Sequence, residues 1–259
     1  MRRVQPKVFL VAQTTVNSDG MQKYLEHIGA ADWKSDAPSD AEVLMEFMGR
    51  LCYRSWRPGM NANVTKVREG NEGYLQNIVK VKHGSVLEHP VVSFVFADVS
   101  RVFTHELVRH RAGAAYSQES LRFVRLTDLG LWLPEAETER FPELAEIFEK
   151  TFTNLEQLQG TLARIFGLDD DGKQFKEKKV LTSLMRRVAP EGLATTIGAS
   201  FNFRALRHII EMRTAESAEA EIRVAFDQVA LICKTNWPNV FMDFSKNEKG
   251  EWLTENRKV

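Results

Sequence analysis

The chain alternates short apolar runs with stretches of helical spacing and is expected to be an α/β (α+β) protein with a central mixed sheet flanked by helices. Lys7 to Thr15 begins Lys-Val-Phe-Leu-Val-Ala, short enough for a buried strand. Asn17 to Pro38 is rich in Gly, Ser, Asp and Pro without clean periodicity and reads as a loop. Ser39 and Glu42 make a capping box ahead of Val43, Leu44, Phe47, Met48 and Leu51, which predicts a helix from about Asp40 to Tyr53. Asn71 is a candidate N-cap for a helix carrying Tyr74, Leu75, Ile78 and Val79 and stopping near Gly84. His83 to His89 then connects helix to strand. Pro90, which cannot donate a ladder hydrogen bond, fits the first position of a strand Val91 to Phe96, whose mostly apolar sequence predicts burial on both faces.

Val99, Val102, Phe103 and Leu107 recur at helical spacing and Gly113 is a stop, so Arg109-His110-Arg111 closes a helix. Periodicity is absent after Arg125 until Pro142. Leu144, Ile147, Phe148, Phe152, Leu155, Leu158, Leu162 and Ile165 then trace a long amphipathic helix, ended by Gly167 and Asp169-Asp170-Asp171-Gly172. Lys178 to Val188 is a further helix before Pro190, and Ala194 to Phe201 has the small and β-branched character of a strand. Arg204, His208 and Glu211 share one helical face, whereas Arg213 falls on the side of Leu206, Ile209 and Ile210. A last helix from about Ala215 to Lys234 terminates before Trp237-Pro238.

The 259 residues show no repeat or low-complexity linker and read as a single domain, residues 1–259. The 35 basic and 35 acidic side chains cancel, leaving no global field for nucleic acid or an anionic membrane, so anion selectivity must be local. Two cysteines, with neither a signal peptide nor a long apolar span, point to a reduced cytoplasmic protein. Cys52 lies in an amphipathic helix and reads as a small buried hydrophobe.

At about 100° per residue, Glu106 and His110 project onto the stripe of Val99, Val102 and Phe103, with Arg109 and Arg111 on either side. A carboxylate, an imidazole and two guanidiniums converging on one helix end suggest a ligand that supplies the missing charge, because unpartnered buried charge is costly. The alternative is a basic helix C-terminus interacting with its own macrodipole. His105-Glu106 and His110 superficially resemble a zinc helix, but histidines five apart are rotated by about 140°, and no metal is assigned. The three aspartates after Gly167 lack calcium-loop spacing. No Gly-rich phosphate loop is present, so a bound dinucleotide would sit outside any Rossmann crevice and its phosphates would be held by side chains. Ser117 and Ser120 have no matched base and acid for a hydrolase. For Arg213 a structural salt bridge with Glu216 or Glu219 stays open beside a functional role.

Four ordered blocks carry a wider resemblance: His83-Gly84-Ser85-Val86-Leu87-Glu88-His89; Thr104 through Arg111 with Tyr116 to Arg122; Arg186-Arg187-Val188-Ala189-Pro190; and Asn202-Phe203-Arg204 through His208 to Arg213. Together, over roughly residues 7 to 245, they resemble the flavin-dependent thymidylate synthases, a family recognised by R-H-R-x7-S. Here eight residues, Ala112 to Glu119, separate Arg111 from Ser120, so the Ala-Gly-Ala-Ala run carries an insertion. The Cys-Tyr-Arg-Ser-Trp run from Cys52 is similar to one that the family places near flavin and folate, an ordinary helix end being the alternative. The resemblance implies a homotetramer with sites between subunits, and reductive methylation of dUMP to dTMP with FAD, NADPH and 5,10-methylenetetrahydrofolate. It puts Arg213 in the catalytic role, with Glu106, Leu107, Val108, Arg109, Gln118, Glu119, Ser120, Leu121, Arg122 and Arg186 around the nucleotide. Around FAD it puts Ser85, Glu88, Arg109, His110, Arg111, Gln118, Asn202, Arg204 and His208. A non-catalytic nucleotide- or flavin-binding relative, or a paralogue methylating another uridine nucleotide, remains the alternative.

Overall fold

The computed structural model describes residues 1–257 and Val259. In chain order its strands are β1 (Arg2–Arg3), β2 (Lys7–Gln13), β3 (Val91–Ser100), β4 (Ala114–Gln118), β5 (Gly130–Leu131), β6 (Ala194–Asn202), β7 (Phe244–Lys246) and β8 (Trp252–Thr254). The helices are α1 (Ser18–His27), α2 (Asp40–Tyr53), α3 (Asn71–Lys80), α4 (Arg101–Leu107), α5 (Glu135–Arg140), α6 (Pro142–Ile165), α7 (Phe175–Met185), α8 (Phe203–Thr214) and α9 (Ala220–Asn236).

A four-stranded sheet in the order β2-β3-β6-β4 forms the centre. Every pairing within it is antiparallel. The α/β class holds, but the central sheet is antiparallel and not mixed: among the described residues parallel pairing is confined to β1 and β5, which a bridge from Leu131 to Leu193 joins to the start of β6. One face of the sheet is the core. Val92, Phe94 and Phe96 alternate along β3 at no exposure, facing Phe201, Ala199 and Ile197 of β6 in register. Leu206, Ile209 and Ile210 of α8 and Phe226 and Val229 of α9 complete that core. Each such side chain contributes roughly 1.5–3 kcal/mol of burial. A smaller core gathers Leu121, Leu126, Leu129, Leu131, Phe152 and Leu193 under α6.

Several expectations change in three dimensions. The β3 strand is buried on one face only, with Val91 41% exposed, because an antiparallel sheet needs helices on just one side. The β2 strand is an edge whose Val8 and Leu10 pack against the core while Phe9 and Val11 are exposed. The stretch expected as a loop contains α1, capped when Asn17 accepts from the Gly20 N–H and held by Leu25 against Phe47 and Trp56. Asn71 does not cap α3. Gly70 occupies that position, and the Asn71 amide reaches Glu42 O and Glu46 Oε2 instead. Val99 belongs to β3, so α4 is short and the Arg109-His110-Arg111 triplet lies in the turn beyond it. Residues between Arg125 and Pro142 include β5 and α5, and the last helix begins at Ala220 rather than Ala215. Cys52 is exposed, whereas Cys233 is buried. The capping box at α2 holds in part. Ser39 accepts from the Glu42 N–H, but the Glu42 carboxylate also accepts from Asn239 and Val240, fastening α2 to the end of α9.

Under α2, Arg50 is buried against Glu46, Nε to Oε1 at 2.8 Å, while its other nitrogens donate to Ser55 O and Arg68 O. Glu46→Ala leaves this guanidinium without a counter-charge and is expected to cost about 3–5 kcal/mol in a urea unfolding titration. A cost under about 1 kcal/mol would show that the guanidinium reaches water.

Candidate active site

Ser100 ends β3 and starts α4: its hydroxyl accepts from the Phe103 N–H at 3.1 Å. Buried Glu221 of α9 fixes Ser100 in turn, accepting from its N–H at 2.7 Å. Burial pushes the Glu221 carboxyl up to about 7 against the lowering effect of those hydrogen bonds. The α4 helix buries Phe103, Thr104 and Leu107 and leaves Val102 exposed, so the apolar stripe read from the sequence is rotated. Beyond Val108 the chain turns, and the turn is held from below by Tyr116 of β4, whose Oη lies 2.6 Å from His110 O and 3.0 Å from Leu107 O. Tyr116 stands in a block that carries the family resemblance, but the sequence reading assigned it no site role. The available signal was its alternation along β4, which puts the ring on the core face, where a phenol must find a partner.

Arg213, at the end of α8, reaches this turn. Its Nη1 donates to Glu106 Oε2 at 2.6 Å, its Nη2 to Glu106 O at 3.0 Å, and its Nε to His110 Nε2 at 2.7 Å. Pairing with Glu216 or Glu219 is replaced by pairing with Glu106. Since His110 Nε2 accepts, the imidazole proton sits on Nδ1. Burial first, then the Arg213 and His208 charges, push the His110 ring down to about 4, so it is neutral at physiological pH. The three bonds leave two of the five guanidinium N–H groups of Arg213 without an acceptor among the described residues.

Beside this cluster opens a cleft of about 930 Å³. Glu88, Arg109, His110, Arg111, Asn202, Arg204 and His208 all line it, so seven of the residues expected around a flavin converge. Glu88 and Arg204 pair across it at 2.5 Å. Gly113 shapes its floor. It has a φ of +67°, and a Cβ there would lie 2.5 Å from the Asn202 amide, which itself caps α8 by accepting from the Ala205 N–H. The strand β4 runs from Ala114 opposite Phe201 to Gln118 opposite Ile197 without a break, which sets the register of the residues around the extra position.

The profile of the family described as thymidylate synthase complementing protein matches residues 35–239. A flavin-dependent thymidylate synthase of Mycobacteroides abscessus is 37% identical over 225 residues, covering 82% of this chain and 83% of the relative. One of Mycobacterium marinum is 38% identical over 224 residues, covering 82% of each. The chain belongs to the flavin-dependent thymidylate synthase family. Among solved structures the fold is similar to a UMP/dUMP methylase of Streptomyces cacaoi bound with 5-Br dUMP, with TM-score 0.63, 15% identity and 93% and 96% of the two chains covered. It is also similar to thymidylate synthase X of Helicobacter pylori with FAD and dUMP, with TM-score 0.59, 19% identity and 92% and 98% covered.

The remaining residues that the family resemblance nominates lie elsewhere on the chain. Leu107 and Leu121 face the two cores, so only their backbones are available to a ligand. Gln118 donates to Thr104 Oγ1 at 3.2 Å, joining β4 to α4. The Glu119 carboxylate accepts from the Thr196 N–H at 3.1 Å. Ser120 turns the chain, its carbonyl accepting from Phe123 and its hydroxyl lying 3.4 Å from the Arg122 N–H. Arg122 joins the α7 side of the molecule through its carbonyl, which accepts from Thr182 at 2.7 Å, and exposed Arg186 follows α7 directly. Ser85 and Val108 are exposed. His105 is 58% exposed and pairs with Glu191 at 3.7 Å, away from His110's bond to Arg213. Thr254, Asn256 and Arg257 also line the cleft, and the sequence reading, which traced the resemblance only to about residue 245, did not reach them.

A neutral His110 gives a direct test. Because its folded pKa lies below the ordinary value of about 6.5, the ring contributes stability that is present above pH 6.5 and lost as pH falls towards 4. An NMR titration of the imidazole is expected to show a midpoint near 4, shifting upward, though not fully to the ordinary value, in Arg213→Ala. A wild-type midpoint near 6.5 would mean that the ring is solvated and the Arg213 contact broken.

Proposed function

We infer that the chain performs the family reaction on deoxyuridylate through Arg213, with FAD in the adjoining cleft, 5,10-methylenetetrahydrofolate as carbon donor and NADPH as reductant. The observation that carries this reading is Arg213 itself: a 15% exposed guanidinium oriented by a carboxylate and a neutral imidazole, with donors left over. A uracil ring becomes nucleophilic at C5 as charge develops towards N3 and O2, and a planar, pre-oriented donor stabilises that charge without reorganising. No protein nucleophile is required.

The cleft fits a dinucleotide. Arg109 and Arg111 line it with no carboxylate partner among the described residues, so a diphosphate supplies counter-charge that the protein does not. Gly113 keeps its floor open where a side chain would strike Asn202. Asn202, Arg204 and His208, along the first turns of α8, are the residues to hold FAD, with Glu88 steering Arg204. When bound, FAD supplies the path for reducing equivalents and for the one-carbon unit. The serine and arginines of Ser120, Arg122 and Arg186 suit the nucleotide phosphate, and Arg122 Nε is buried without a partner among the described residues.

The same reading makes the chain a single catalytic unit of a homotetramer in the cytoplasm. It is supported by large exposed apolar side chains in ordered elements: Phe9, Val11, Ile147, Ile165, Phe175 and Val180 are each at least 50% exposed. Among the described residues no helix is long and apolar enough to cross a membrane. Sedimentation velocity is expected to give a tetramer, and a monomer at working concentration would overturn shared sites.

Arg213→Lys separates a catalytic arginine from a structural one. Lysine keeps the charge but cannot hold Glu106 and His110 at once. Thymidylate formation is expected to fall roughly 10²- to 10³-fold while flavin content and NADPH oxidation persist, since neither needs an ionised pyrimidine. Near wild-type methylation by flavin-replete Arg213→Lys would sink the assignment, and running the assay with uridylate beside deoxyuridylate identifies the natural pyrimidine.

A further inference from the structure

The family match ends at residue 239, and the chain beyond it packs onto α8, the helix that carries Arg204, His208 and Arg213. The β7–β8 hairpin pairs Phe244 with Thr254 and Lys246 with Trp252. Trp252 N–H donates to Thr214 Oγ1 at 2.9 Å, at the end of α8. Arg207, buried in the middle of α8, meets Asp243 fork to fork, both bonds 2.8 Å. Asp243 also accepts from Thr254 Oγ1 at 2.5 Å and Asn256 Nδ2 at 2.9 Å. Burial opposes the charge on Asp243, but Arg207, Thr254 and Asn256 outweigh it and hold the carboxyl down to about 2. The segment after β8 is thereby anchored at both ends of its first turn.

That anchoring delivers Arg257 to the flavin cleft, which it lines together with Arg109, Arg111 and His208. Its Nε lies 2.5 Å from Glu211 Oε1, with Glu211 16% exposed and Arg257 67% exposed. Glu211 sits one turn from His208 on α8. The contact is close but off hydrogen-bond alignment, and Oε1 has no other partner among the described residues. An unpaired carboxylate there would repel an anionic ligand; Arg257 cancels it and keeps terminal guanidinium donors in reserve.

We propose that Arg257 is a further cofactor-binding residue of this chain, positioned by Glu211 at the cleft rim so that its guanidinium contacts the phosphates of the dinucleotide. The proposal rests on the assignment of FAD to this cleft. The test is titration of flavin-stripped protein with FAD, monitored by flavin fluorescence, for wild type, Arg257→Ala, Arg257→Lys, Glu211→Gln and the double variant Glu211→Gln with Arg257→Ala. Arg257→Ala is expected to weaken FAD binding about tenfold or more, the loss shrinking as salt is raised, and Arg257→Lys to lose less. The loss should persist in the Glu211→Gln background. Wild-type affinity in Arg257→Ala overturns the proposal. So does a loss that vanishes once Glu211 is neutralised, because Arg257 then only cancels that charge. A wild-type protein that takes up no FAD overturns the proposed function as well, which distinguishes the two failures.

Discussion

The clasp of Arg213 on Glu106 and His110 is the interaction on which the site depends. A guanidinium this enclosed is tolerable only with a counter-charge and acceptors for its donors, and Glu106 with a neutral imidazole provides both. The two helices involved each start directly from a strand: α4 leaves β3 at Ser100 and α8 leaves β6 at Asn202. The sheet register thus sets where the helices begin, and the Arg213 bonds set where their far ends meet. With Tyr116 supporting the turn from β4, three of the four central strands contribute to the position of one guanidinium.

Charge in this region is arranged by pairing rather than by excess, in keeping with a chain that has no net charge. Arg213, Arg204, Arg207 and Arg257 each have a carboxylate within 4.0 Å. Among the described residues Arg109 and Arg111 are the arginines of the cleft outside that set. A local surplus next to a neutral histidine attracts an anion without a long-range field that would also attract nucleic acid. Keeping His110 neutral matters to the same end, since a proton there would break the Arg213 Nε contact and place two cations in opposition.

Elements with two concurring local signals were legible. The α2 helix, with its capping box and apolar period, runs from Asp40 to Tyr53 as read, and α6 occupies its expected apolar stretch. Elements resting on one signal were not. The α1 helix hid in a segment full of loop-forming residues because its stability comes from Leu25 packing on Phe47 and Trp56, contacts that no local pattern records. Val99 looked helical because strand and helix share an apolar position at the junction, and the register with Thr195 decides for the strand. Cys52 illustrates the reverse error: a helical period puts it near the apolar stripe, but α3 and the turn Gly84–Glu88 pack against α2 and leave Cys52 exposed.

By itself the sequence determined the chemical inventory of the site and its family: the arginines and histidine of the triplet, Asn202, Arg204, His208 and Arg213. These are local facts, carried by residue type and spacing. Tertiary structure alone decided which charge answers which. Arg213 finds Glu106 across 107 positions of chain and not Glu216 or Glu219 nearby, and Glu211 finds Arg257. Pairing of buried charges depends on distance and desolvation in space, and sequence separation carries information about neither.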